Sequence, residues 1–223
     1  MRKIDKGKEP EEWIEYRKTA DAKYQATTEL RDSLLKEQGY ICAYCMRRIP
    51  VKDHNSNEPS RIEHILSRTK HPDLELSYKN MVICCPGAID SENKLISDNS
   101  KKEKYHNSHC DKSKGENDIS FSPFDSSFIS TLGYKSKDGT IESSNDKYNE
   151  EINNLLNLNN ALLKANRVQT LKGLLVCLNQ KEWKASEIKK LLKSWDEKDN
   201  EGMYKPYCGV VVWYLEKKLR QLR

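Results

Sequence analysis

The chain has 223 residues, 36% of them hydrophobic and 33% charged, with a formal net charge of +5. That length fits one large domain or two small ones, and so modest an apolar share supports only a small core, which a bound metal would reinforce. Seven cysteines, an odd number, a charged opening stretch without an apolar leader, and a longest apolar run (residues 210–215) too short to cross a bilayer argue against a secreted disulfide scaffold or a membrane protein and for a reducing cytoplasm.

Residues 1 to about 26 are polar and charged, with Pro10 and a solitary Trp13. They read as an extended arm, with Trp13 anchored on the chain's own core or on a partner. Thr27 or Thr28 is placed to cap a short helix carrying Leu30, Leu34 and Leu35, and Gly39 to end it. Residues 1–37 thus form an arm and a helix. Residues 40–49 alternate into the turn Cys42-Ala43-Tyr44-Cys45, which reads as a knuckle hairpin. Residues 51–60 are turn-like and 61–66 read as a strand, which His71-Pro72-Asp73 breaks. The Asn80 segment follows, and Pro86-Gly87 punctuates it.

Residues 88–108, rich in Ser, Asn, Asp and Lys, read as a surface insertion. Residues 119–145 read as a linker. Beyond it, Tyr148, Ile152, Leu155, Leu156, Leu162 and Leu163 recur at helical spacing. Further helices are expected over 168–178, 186–194 and 207–222, the second capped by Ser186. The asparagines of the run INNLLNLNN are expected to cap or break a helix as much as to lie inside one. The expected architecture is α+β: a small metal-framed domain over 38–118 and a helical bundle over 146–223.

The chemistry concentrates between 42 and 114. A Cys-x2-Cys turn places two thiolates on one cation, and Cys85 and Cys110 complete the four that zinc takes tetrahedrally. Cys84 competes with Cys85. Cys177 and Cys208, in apolar helical context, are expected in the core. His54, His71 and His106 fall in polar loops and read as surface residues. Between the half-sites lie Glu63-His64 and Asn80. A neutral histidine can take a proton from water, and the Asn80 carbonyl is suited to fixing its tautomer. Glu63 and Asp111 are hard oxygen donors for Mg²⁺ or Mn²⁺. Simple strand alternation sends Glu63 and His64 to opposite faces, so their cooperation needs a distorted strand. Arg68, Lys112 and Lys114 are candidate phosphate contacts.

HNH nucleases with a cysteine–zinc frame read Cys-x2-Cys, acid-His-Ile, Asn-Leu-x3-Cys and Cys-His/Asn-x2-Lys. This chain has Cys42-x2-Cys45, Glu63-His64-Ile65, Asn80-Met81-x3-Cys85 and Cys110-Asp111-x2-Lys114, a register that selects Cys85 over Cys84. It departs in the long insertion between the last two cysteines, which leaves His106 and His109 as alternative ligands, and in Asp111 at the final His/Asn position. The segments MRKIDKG, ICAYCMRRI, RIEHILSR, NMVICCPGA and HCDKSKG resemble the HNH subunit family of Septu-type bacterial antiphage systems, PtuB, closely over residues 1–118 and more loosely beyond. That resemblance implies a ββα-metal domain with catalytic His64 and Asn80, structural zinc and a catalytic divalent cation. It also implies an ABC/SMC-like ATPase partner (PtuA-like), a role against phage and, in some members, association with a retron reverse transcriptase and its RNA/DNA. Two other readings are open: a zinc-framed nucleic-acid binder without chemistry, and an adaptor whose bundle docks an ATPase.

Overall fold

A computed structural model describes residues 1–49, 60–87 and 108–222. The expected turn region over 51–60 (apart from Ser60), the surface insertion over 88–108 (apart from Ser108), His54 and His106 lie outside them. Helix α1 spans Glu11–Lys18, with Glu11 and Glu12 in its first turn and Arg17 and Lys18 in its last, charges placed to suit the helix dipole. Its Trp13 is 1% exposed and donates from Nε1 to the Leu76 carbonyl at 3.2 Å. Met1 and Ile4 are also buried. The N-terminal stretch is therefore tied to the core, with Met1, Ile4 and Trp13 all in the buried cluster.

Helix α2, Thr28–Glu37, begins as expected: Thr27 Oγ1 accepts from Leu30 N at 3.2 Å. Leu30, Leu34 and Leu35 are buried. The chain then reverses through Gly39 at φ +59°, where a Cβ would lie 2.9 Å from Tyr204 N, so both the conformation and the close approach favour glycine. The knuckle follows, closed by a bridge between Ile41 and Arg48.

Strands β1, Arg61–His64, and β2, Met81–Cys84, pair antiparallel with Glu63 opposite Val82 and His64 opposite Met81. Strand β1 stops two residues short of the expected end. The cause is Asn80, whose side chain accepts from Leu66 N and donates to Leu66 O, both at 2.9 Å, and so takes the backbone groups that a longer ladder would use. Helix α3, Asp111–Lys114, follows Cys110 directly.

The segment expected to be a linker is folded. It holds helix α4, Ser126–Ser130, and a second hairpin, β3 Leu132–Tyr134 with β4 Ile141–Ser143. Ile119, Phe121, Phe128, Leu132, Tyr134 and Ile141 are buried there. Strands of three residues are too short to show a period of two. Helix α5, Asp146–Glu150, runs into a π-helical turn, Glu151–Leu155. Helices α6, Ala161–Gln180, α7, Ala185–Asp196, and α8, Cys208–Gln221, complete the chain. Of the asparagines in INNLLNLNN, Asn160 caps α6 through its side chain as expected; Asn145, outside that run, caps α5 in the same way. Ser186 is not a cap; helix α7 starts at Lys184 without a side-chain cap. Cys208 is buried, whereas Cys177 lies half-buried on the flank of α6.

The protein is thus α+β, with two small two-stranded sheets and a helical C-terminal region. Its buried residues form one cluster, from Met1 to Leu215. Among the described residues no helix is long and apolar enough to cross a membrane.

Candidate functional site

Four thiols from three places meet beneath β2. Cys42 and Cys45 come from the knuckle, Cys85 follows β2, and Cys110 precedes α3. Their sulfurs lie within 4.8 Å of one another and all are buried. The Cys42–Cys110 and Cys45–Cys85 Sγ distances are both 3.7 Å. Zinc–sulfur bonds of about 2.3 Å in a tetrahedron give sulfur–sulfur edges of about 3.8 Å, so the set fits a zinc ion. Cys84 is outside the group. His109 is fully buried beside it, with Nδ1 3.1 Å from Cys110 Sγ and 3.9 Å from Cys85 Sγ. It neighbours a complete set of four thiols and replaces none of them.

An open cleft of about 470 Å³ is lined by Tyr24, Arg31, Arg61, Glu63, His64 and Arg68, with Asp111 and Lys114 of α3. Glu63 and His64 are adjacent in sequence yet both line it. Alternation predicts opposite faces, yet all four residues of β1, Arg61, Ile62, Glu63 and His64, border the cleft.

Glu63 is 5% exposed. Its Oε1 is 2.6 Å from the Lys114 ammonium and 3.4 Å from the Tyr44 hydroxyl. Burial and the adjoining Asp111 carboxyl outweigh Lys114 and push Glu63 up to about 8. Two carboxyl groups side by side and largely dry are poised for a divalent cation, which would offset the repulsion. Asp111 also has Arg61 at 3.6 Å.

His64 is 5% exposed, and its Nε2 is 2.9 Å from the Glu75 carbonyl oxygen. A carbonyl only accepts, so Nε2 carries the proton and Nδ1 is left as the basic atom. Burial, with the cations of Arg68 and Lys114 adding to it, lowers His64 to about 4. The ring is therefore neutral at neutral pH.

The remaining expected residues fall differently. Asn80 does not touch the His64 ring: its carbonyl goes to Leu66 N, and its amide to the Leu66 and Leu74 carbonyls. It holds the loop that places Glu75. Lys114 is 1% exposed and engaged with Glu63 and the His64 carbonyl, so it is not a free phosphate contact. Lys112 is exposed on α3. Arg68 is exposed at the cleft mouth over the ring of Tyr24. His71 is half-exposed, with Nε2 3.2 Å from Asp118.

Sequence reasoning missed Tyr24, Tyr44, Arg61 and Glu75. Glu75 holds His64 through its backbone, which leaves no trace in residue type. Tyr44 carried a signal, since it lies inside the Cys-x2-Cys turn and so must sit near whatever that turn packs against. No protein-family model matches the chain, and no curated protein matches it.

Proposed function

We propose that the chain is a metal-dependent endonuclease subunit of the HNH kind, in which β1, β2 and α3 form the ββα-metal unit and the four thiols its zinc frame. One observation carries the reading. A neutral, tautomer-fixed histidine shares a cleft with two converging carboxyl groups, 2.9 Å from the carbonyl that fixes it. A plain binder has no need of a held base.

His64 takes a proton at Nδ1 from a water that attacks the phosphorus of a nucleic-acid phosphodiester; the bond to the 3′ oxygen breaks as the new one forms. Glu63 and Asp111 would hold Mg²⁺ or Mn²⁺, which supplies neutralisation of the developing charge on phosphate and leaving oxygen. Tyr44 and Lys114 keep Glu63 in place. Arg61 and Arg68 line the approach and Lys112 extends it, as phosphate contacts.

The sequence resemblance extends the proposal to antiphage defence with an ABC/SMC-like ATPase partner, in some settings beside a retron reverse transcriptase and its nucleic acid. Trp13 is in the core and is withdrawn as a partner anchor. Trp183, Trp195 and Trp213 pack only partly against the core and are the better candidates. The test is cleavage of labelled DNA and RNA by the chain, alone and with the ATPase, with Mn²⁺ or Mg²⁺. Activity that survives His64→Ala in both settings sinks the proposal.

A second reading has an observation of its own. Lys114 already occupies the buried side of Glu63, 2.6 Å from its Oε1. In a non-catalytic, zinc-framed nucleic-acid binder or ATPase-docking adaptor that ammonium would be the site's permanent cation. Absence of any divalent-cation binding to the zinc-loaded chain would favour it.

A further inference from the structure

One wall of the cleft is built by two residues to which the reaction has given no joint role. The Tyr24 ring stands edge-on to the His64 imidazole, centroids 4.7 Å apart at 85°. The Arg68 guanidinium lies over the same ring, 4.4 Å from its centroid. Glu75 fastens both partners: its carboxylate accepts from Tyr24 N and its carbonyl from His64 Nε2, each at 2.9 Å. Among the described residues Arg68 has no carboxylate partner. A guanidinium laid on a ring at a cleft mouth, with no acid on it among the described residues, is a cation arranged for an anion that arrives from outside.

We infer that Tyr24 is a positioning residue of this site, its ring holding His64 at the cleft floor and Arg68 at the mouth as a clamp on the phosphate next to the scissile one. The inference rests on the nuclease reading above. A free arginine loses side-chain entropy when it grips phosphate; one already laid on a ring loses less. An imidazole packed edge-to-face on one side and hydrogen-bonded at Nε2 keeps its Nδ1 direction, which a general base requires. The ring makes both contacts and the hydroxyl makes neither.

The test uses the full chain as wild type, Tyr24→Phe, Tyr24→Leu, Arg68→Ala and the double variant Tyr24→Leu/Arg68→Ala. Cleavage of fluorescein-labelled single-stranded and duplex oligonucleotides with Mn²⁺ gives KM and kcat. Binding of the same oligonucleotides in a His64→Ala background without divalent cation gives an arm independent of turnover. Tyr24→Phe should stay within about twofold of wild type, because it keeps the ring. Tyr24→Leu should raise KM roughly fivefold or more through Arg68 and lower kcat roughly tenfold through His64. Arg68→Ala should raise KM with kcat nearly unchanged, and the double variant should have no higher KM than Arg68→Ala, because the two act as one unit.

Tyr24→Leu with wild-type KM and kcat overturns the inference. So does a double variant whose KM effects multiply, or a Tyr24→Leu chain that loses zinc or melts early, which makes Tyr24 a scaffold residue only. A wild type that binds the oligonucleotides and never cleaves them sinks the nuclease reading instead, and the binding arm still decides whether Tyr24 arranges Arg68. A wild type that does not bind them at all overturns both.

Discussion

The Lys114 ammonium joins the two residues on which the cleft depends, lying 2.6 Å from Glu63 Oε1 and 2.9 Å from the His64 carbonyl oxygen, with the Lys114 side chain 1% exposed. Lys114 ends the short helix that begins with Asp111, four residues after Cys110 of the thiol cluster. The thiol cluster, the acid pair and the base are therefore linked by four consecutive residues of α3 together with Cys110. A buried pair like this adds little net stability over an apolar replacement, but removing one partner leaves the other charge stranded.

At pH 9, where Glu63 is ionised against Lys114, Lys114→Met should accordingly destabilise the protein by about 3–5 kcal/mol, the range for breaking a buried ion pair. Adding Glu63→Gln to it should restore part of that loss, because the stranded carboxylate is gone. Urea denaturation of the zinc-loaded proteins measures both. Equal stability of Lys114→Met and wild type would show that the pair is not a structural tie.

The frame makes its own prediction. A four-thiol zinc site supplies folding free energy on the order of 10 kcal/mol, and the four sulfurs lie within 4.8 Å of one another, two of the pairs at the tetrahedral edge distance. Purified protein should carry about one zinc per chain by elemental analysis. Cys42→Ser and Cys110→Ser should lose it and precipitate or unfold, while Cys84→Ser should keep it. Full zinc in both of the first two variants would refute the assignment.

For the chemistry, His64→Ala should lower cleavage by roughly 10²–10⁴-fold, the value of one positioned general base, with zinc content and melting temperature close to wild type. Asn80→Ala should behave otherwise. Its three hydrogen bonds hold the loop from Leu66 to Leu74, so it should cost stability, roughly 1–3 kcal/mol for the stranded backbone groups, and lose activity only as Glu75 drifts from His64. An Asn80→Ala protein as stable as wild type would contradict that role.

The structure shows which parts of the site are legible in the sequence. Cys42, Cys45, Cys85 and Cys110 were, because ligand spacing is set by covalent geometry and zinc's demand for four donors. Glu63, His64 and Asp111 were legible as neighbours, since all three line one cleft, and that Glu63 and His64 must depart from strand alternation to share it was foreseeable as a need. The role of Asn80 was not: it bonds backbone atoms of Leu66 and Leu74, and a side chain's partners on a loop do not follow from residue type. The role of Lys114 was misread for a related reason, since a lysine in a charged sequence looks solvated until burial is known. At the level of the fold, helices with long apolar periods were readable, whereas β3 and β4, of three residues each, were too short to leave a pattern. The division into an arm, a linker and a bundle failed as a physical description where Met1, Trp13, Phe128 and Val211 enter one core, because composition reports local polarity and not which distant segments pack together.

The titration of His64 gives a stability test. Burial lowers its pKa from 6.5 in the open chain to about 4 in the fold. Between those values the unfolded chain binds more protons, so this contribution is fully present above pH 6.5 and is lost as pH falls towards 4. The span of about 2.5 units corresponds to roughly 3 kcal/mol at most. Glu63, raised from 4.5 to about 8, runs the other way: its contribution is present at low pH and lost as pH rises from 4.5 through 8. The two slopes oppose each other between 4.5 and 6.5. Subtracting the pH–stability curve of His64→Gln from that of the wild type isolates the histidine, and the difference should fall with acidification below 6.5. A flat difference would mean that His64 is not held neutral by burial.

The same Glu63 shift predicts proton release on cation binding. With burial and Asp111 holding its carboxyl up to about 8, Glu63 is largely protonated at pH 7. A divalent cation takes the carboxylate, so binding must expel that proton, and apparent affinity must rise with pH until about 8 and level off above it. Titration calorimetry of Mn²⁺ into the zinc-loaded chain, run at pH 7 in buffers of different ionisation enthalpy, counts the protons directly; close to one should leave per cation bound. Asp111→Asn removes the neighbouring charge that, after burial, does most to raise Glu63, so it should both weaken binding and reduce proton release. If Mn²⁺ binds with no proton released and with affinity independent of pH between 6 and 8, Glu63 is not its ligand, and the acid pair must be reassigned to a structural tie with Lys114 alone.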